Sequence, residues 1–261
     1  MNKVLSPEHY AKDIFTSLDL SVPVDVYSVS DKFNIEIVFD NLSDAEAYFI
    51  CKNANKKIII DKKVQYESRI KFTIAHEIGH FYLPWHNFDI FKCSTKDISS
   101  FKSHNILENE ANTFASELLV PIDELVKDIN NKNISMTLIK NLAQKYGVSL
   151  TSLAIKAIKN TDDNTAVVFT QDGKIKWSFP SKTFKREIIT NNIRQWSYAY
   201  DFFAEGNINE VKDTVYSMAW LIDGSDCESI IEESLPMPNI NSVLTLLKIS
   251  EENCEVDEDE F

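Results

Sequence analysis

The chain has 261 residues, enough for one large domain or two smaller ones. It is 44% hydrophobic and 26% charged with only 5 Gly and 7 Pro, which excludes collagen-like, low-complexity and wholly disordered classes. A formal net charge of −13 repels nucleic-acid backbone, and no apolar run approaches the roughly 20 residues of a membrane span, so neither nucleic acid nor membrane is an expected partner.

Ser6-Pro7 is a cap followed by a first-turn proline and predicts a helix to about Leu18. Pro23 starts a second, to about Phe33. Ile35, Ile37 and Phe39 alternate as in a half-buried strand. Ala47–Cys51 and Lys57–Asp61 read as a hairpin across Asn53-Ala54-Asn55, and the lysines around the second strand suggest a protected sheet edge. A helix from about Val64 to Tyr82 ends at Leu83-Pro84. Residues 87–105 are polar and irregular, long enough for a functional loop or gate. A further helix, about Asn105–Leu119, stops at Pro121, and 121–160 look helical throughout. The pattern then changes: AVVFT-QDG-KIKWSF is a hairpin with an Asp-Gly turn. Residues 183–204 look helical, and 211–249 mix helix and strand. Trp177, Trp196 and Trp220 are read as core aromatics.

The N-terminal MNKVLSPEHYAKDIF lacks the apolar segment of a secretory signal. Cys51, Cys93, Cys227 and Cys254 form no C-x-x-C pair, so the expectation is reduced thiols in a cytoplasm. Seven acids in the last eleven residues, EENCEVDEDEF, read as a solvated tail.

The chemistry concentrates in Arg69-Ile-Lys-Phe-Thr-Ile-Ala-His76-Glu77-Ile-Gly-His80. Residues four apart on a helix differ by about 40° around its axis, so His76 and His80 project from one face and can share one ion. Glu77 sits at the edge of that face, able to reach a water on the metal without ligating it. Two neutral imidazoles and one carboxylate leave zinc an open fourth position, and Glu77 is then placed as general acid/base. This is the H-E-x-x-H arrangement of zinc peptidases.

Two candidates exist for the third ligand. His86 follows His80 by six residues, the metzincin spacing, but Leu83 stands where that pattern needs a glycine to bend back. Glu108, in Glu108-Asn-Glu-Ala-Asn112, lies on one helical face with Asn112, which can orient a ligand histidine by hydrogen bonding. Glu110 projects elsewhere and is read as solvated.

FTIAHEIGHFYL, followed about 30 residues later by ENEANTFASELLVP, resembles the ImmA/IrrE family of metallopeptidases, with the similarity covering roughly residues 5–160. The resemblance implies an α+β, zincin-like peptidase domain with a small antiparallel sheet and active-site helices. It implies zinc held by His76, His80 and Glu108, with Glu77 catalytic. It further implies a site-specific cut in a partner protein, typically a helix-turn-helix repressor, which derepresses mobile-element or stress-response genes. On this reading residues 1–128 form the peptidase domain, 129–161 a helix-turn-helix-like segment packed on it, and 162–261 a C-terminal α+β recognition or regulatory domain.

Competing readings are a zinc-binding module that sequesters a repressor or acts as a defence effector without general proteolysis, and a DNA-binding regulator using 137–160. Lys140, Lys145, Lys156 and Lys159 give that segment local positive charge, but its second helix offers few groups to read base edges. His104, Tyr82 and Tyr66 are candidate oxyanion stabilisers, and Lys57–Asp61 could take an extended peptide by strand addition.

Overall fold

The computed structural model describes residues 5–52, 55–86, 106–222 and 229–249, together with the backbone of 90–93. The expected gate at 87–105 falls outside the described residues except for 90–93, as do His104 and the acidic tail. The fold is mixed α+β, and its contacts divide it into two compact units. The first comprises residues 1–125 and 143–149, the second 126–142 and 150–261. Among the described residues no helix is long and apolar enough to cross a membrane.

The first unit opens with α1 (Pro7–Ser17) and α2 (Val26–Lys32). The second helix starts later than Pro23 suggests, because the Asp25 carboxylate accepts from the Tyr27 and Ser28 amides and so marks the true N-cap. A four-stranded sheet follows, built from β1 (Ile35–Asp40), β2 (Ala47–Lys52), β3 (Asn55–Asp61) and β4 (Ile90–Cys93) in the order β1-β3-β2-β4. Its β2–β3 and β2–β4 pairs are antiparallel, whereas β1 runs parallel to β3.

That order corrects one expectation: Lys57–Asp61 belongs to an interior strand, and the outer strands are β1 and β4. The lysines around it have other duties. Lys57 pairs across the sheet with Glu36 at 3.0 Å. Lys56 donates to the Phe33 carbonyl at 2.8 Å while lying over the Phe81 ring. Ile58 and Ile60 alternate to one face and are fully buried with Phe49, as a half-covered sheet requires.

Against the sheet lies α3 (Glu67–Tyr82), which packs along α4 (Ile106–Leu119); α4 in turn carries α1. The apolar stripe Ala111, Phe114, Ala115 and Leu118 is buried as its spacing predicts. Residues 121–160 form three helices, α5 (Ile122–Ile129), α6 (Met136–Tyr146) and α7 (Leu150–Lys159).

In the second unit an antiparallel sheet carries β5 (Thr165–Gln171), β6 (Lys174–Pro180), β7 (Val211–Tyr216), β8 (Ser229–Met237) and β9 (Ser242–Lys248), in the order β6-β5-β9-β8-β7. Asp172 and Gly173 both take positive φ, 53° and 73°, the turn that matches the twist of a two-residue hairpin. The helix expected over 183–204 is only α8 (Tyr198–Glu205). Phe184, Ile188, Ile189 and Ile193 are buried, but from an irregular segment that forms single bridges, Ile188 to Leu221 and Asn192 to Lys174. Thr190-Asn191-Asn192 sits in its middle, and such residues favour local side-chain bonds over helix. Trp220 is a fully buried core residue and Trp177 stacks on Phe169, but Trp196 is 58% exposed.

Candidate metal centre

The site is made where α3 and α4 meet. Every residue from Thr73 to His80 is buried, an uncommon run for a stretch holding two histidines and a glutamate. At its N-terminal side α3 is anchored to the sheet. The Glu46 carboxylate accepts from Arg69 Nε at 2.5 Å, Arg69 Nη2 at 2.8 Å and Thr73 Oγ1 at 3.1 Å, and Glu46 directly precedes β2. Along its other side α3 closes onto α4 at Gly79: a Cβ there would lie 3.0 Å from Cδ1 of Phe114, so only glycine allows this approach.

Three side chains converge from the two helices. His80 Nε2 lies 3.1 Å from His76 Nε2 and 3.4 Å from Glu108 Oε1, and His76 Nε2 lies 3.2 Å from Glu108 Oε2. Donor atoms on a tetrahedral zinc with bonds of about 2.1 Å stand about 3.4 Å apart. The observed spacings therefore fit a zinc-sized ion with little rearrangement, and the donor set is the one zinc peptidases use. These three form the one His/Cys/Asp/Glu group among the described residues able to hold a metal. Glu77, beside His76, is fully buried.

The electrostatics match that role. Burial pushes the His80 pKa down to about 4, against the opposing hydrogen bond to Glu108, so its imidazole is neutral at pH 7. Burial alone would raise the Glu108 carboxyl, but hydrogen bonds from His76 and His80 outweigh it and hold the pKa well below the usual carboxylate range. A neutral imidazole and an ionised carboxylate are the forms a metal binds.

Outer contacts hold both rings. His76 Nδ1 donates to Asn112 Oδ1 at 3.0 Å, the contact anticipated from the four-residue spacing of Glu108 and Asn112. His80 Nδ1 meets His86 Nδ1 at 2.9 Å, and His86 Nε2 meets Glu110 Oε2 at 3.0 Å. Trp85 Nε1 donates to the same oxygen at 2.7 Å. Two sequence expectations change here. His86 does come back to the site without a glycine: Leu83 stays extended and the chain turns through Pro84-Trp85, closed by His86 N–H to the Leu83 carbonyl at 3.0 Å. It arrives behind His80, however, outside the three-residue donor group. Glu110 is not a solvated bystander but the acceptor at the end of this chain of contacts. The signal that could have found it is the Leu-Pro stop, which fixes where residue 86 must go.

The other candidates separate. The Tyr82 hydroxyl donates to Asp13 at 2.9 Å, and burial, then that bond, pushes its pKa up to about 12. Tyr66 is 73% exposed at the start of α3.

Residues 30–157 match the family described as the IrrE N-terminal-like domain, Peptidase_M78. No curated protein matches the chain. Among solved structures it is similar to a Mycobacterium tuberculosis transcriptional regulator, at 14% identity and a TM-score of 0.54, over 93% of this chain and 76% of that one. At that identity the likeness speaks to fold alone.

Proposed function

We propose that this chain, which carries an ImmA/IrrE-family metallopeptidase domain over residues 30–157, is a zinc-dependent endopeptidase that makes a site-specific cut in a partner protein, a helix-turn-helix repressor. The observation that carries the reading is the His76, His80 and Glu108 donor set, whose spacings suit a tetrahedral ion and in which burial keeps His80 neutral while Glu108 is held ionised.

His76 and His80 would bind through Nε2 and Glu108 through its carboxylate. A zinc ion held there would supply Lewis acidity for the scissile carbonyl and for a water that ionises near neutral pH. Glu77 accepts the proton from the attacking water and delivers it to the departing amine nitrogen. Its buried setting strengthens that exchange, because charge interactions grow as water is excluded. Asn112 accepts from His76 Nδ1–H, which would leave the His76 Nε2 lone pair free for a metal. The regulatory setting is what the resemblance of FTIAHEIGHFYL and ENEANTFASELLVP to the ImmA/IrrE family implies.

The test is incubation of zinc-loaded protein with helix-turn-helix repressors encoded beside its gene, read by mass spectrometry. One discrete cut, absent in Glu77→Gln with zinc retained, supports the proposal. A repressor that is bound but stays full-length would replace it with sequestration.

A further inference from the structure

The contacts behind His80 have a direction that hydrogen counting fixes. An Nδ1–Nδ1 contact at 2.9 Å holds one hydrogen. If His80 gives its Nε2 lone pair to an ion, its remaining hydrogen must sit on Nδ1 and point at His86. His86 Nδ1 is then the acceptor, so its own hydrogen sits on Nε2 and points at Glu110 Oε2. Glu110 is acceptor-only when ionised and also takes the Trp85 N–H. Every hydrogen in the series His80, His86, Glu110 finds one acceptor, and no alternative arrangement leaves the His80 Nε2 lone pair free. The His86 side chain has no solvent exposure, so water cannot replace this partner.

We propose that His86 and Glu110 are positioning residues for His80: together they fix its Nδ1–H tautomer and its ring plane, as Asn112 does for His76. The proposal rests on the zinc reading above. It assigns to His86 a role other than ligand and to Glu110 a role the sequence does not suggest. Metal-bound histidines usually have a carbonyl or carboxylate as outer partner. Here a second imidazole is interposed, which extends the reach of the carboxylate by one ring.

Two measurements test it. The first is zinc affinity by chelator competition for wild type, His80→Ala, His86→Phe and His86→Asn. Phenylalanine keeps the volume and removes the acceptor, whereas the asparagine Oδ1 occupies the place of the histidine Nδ1. Expected are a loss of roughly tenfold or more in His86→Phe, the scale of outer-partner losses, and recovery to within a few-fold of wild type in His86→Asn. Wild-type affinity in His86→Phe overturns the proposal while leaving the zinc site intact. An equal fall in both His86 variants also overturns it, because packing rather than the acceptor would then matter. Unchanged zinc binding in His80→Ala removes the underlying reading instead. The second measurement needs no variant: imidazole nitrogen NMR of the zinc-loaded wild type should show His80 protonated at Nδ1 and His86 at Nε2. His86 protonated at Nδ1 overturns the proposal.

Discussion

Replacing Gly79 by alanine should weaken zinc binding out of proportion to its effect on the fold. The added Cβ would sit 3.0, 3.2 and 3.3 Å from Cδ1, Cγ and Cβ of Phe114, inside the roughly 3.5–4.0 Å at which carbon atoms attract. Ring rotation cannot clear all three contacts, because one is with the Phe114 Cβ, and Phe114 is fully buried. The helices must therefore part by a few tenths of an ångström. Overpacking of this kind costs about 1–3 kcal/mol. The gain in helix propensity from glycine to alanine returns about 1 kcal/mol. The net loss of stability is then between about 0 and 2 kcal/mol, which a domain of this size survives. The metal site has less tolerance, since ligand distances must hold to about ±0.2 Å and Glu108 rides on α4 while both histidines ride on α3. A loss of about 1.4 kcal/mol in the Glu108 contribution is already tenfold in affinity. Urea unfolding of the metal-free protein and chelator competition for zinc would separate the two effects. Adding Phe114→Leu should relieve the crowding and recover part of the affinity. Unchanged zinc affinity in Gly79→Ala, or no recovery in the double variant, would refute the reasoning.

Further outcomes follow from the same geometry. Glu77→Gln should keep its zinc and lose cleavage, and residual cleavage above a hundredth of wild type would count against Glu77 as the proton carrier, since such groups contribute about 10²–10⁴-fold. Glu46→Ala removes the carboxylate that takes two Arg69 donors and the Thr73 hydroxyl, and a urea midpoint should report a loss of about 3 kcal/mol, the lower end for breaking a buried pair, because Arg69 is 26% exposed. His80, lowered from 6.5 to about 4 in the folded state, takes up its proton first in the unfolded chain. Its contribution is therefore intact above pH 6.5 and lost as pH falls toward 4, by on the order of 3 kcal/mol, so metal-free protein should weaken across that window and His80→Gln should flatten the dependence.

What could be read in the sequence was what local spacing controls. His76 and His80 share a face because the helix period requires it, and Glu108 with Asn112 repeats the argument on a second helix. The meeting of those helices was not a matter of period. It depends on Gly79 facing Phe114, a pairing across 35 positions that no single segment displays. The same limit explains β3. Its lysines suit an edge, but sheet order is set by where β1 returns, and a parallel neighbour takes the open side. Glu110 was misplaced because its partner enters from the Leu83–His86 turn rather than from the helix face that its spacing addresses. Residues 183–197 mislead for a different reason: their apolar spacing imitates a helix, whereas the chain buries those residues from an irregular segment tied by single bridges at Ile188 and Asn192.

α4 supplies more than one ligand's worth of order. Glu108 joins His76 and His80 in the group that could hold a metal, Asn112 ends the contact behind His76, and Glu110 ends the one behind His80. Each histidine on α3 is thus held by an acceptor on α4, directly in one case and through His86 in the other. A shift of α4 must disturb the carboxylate and both imidazoles together, whereas loss of the His86 acceptor touches only His80. The two perturbations should accordingly differ in kind: Gly79→Ala alters the surroundings of both rings in the nitrogen spectrum, and His86→Phe alters those of one. A site assembled in this way cannot be tuned residue by residue from α3 alone, since its second half is the helix that the glycine admits.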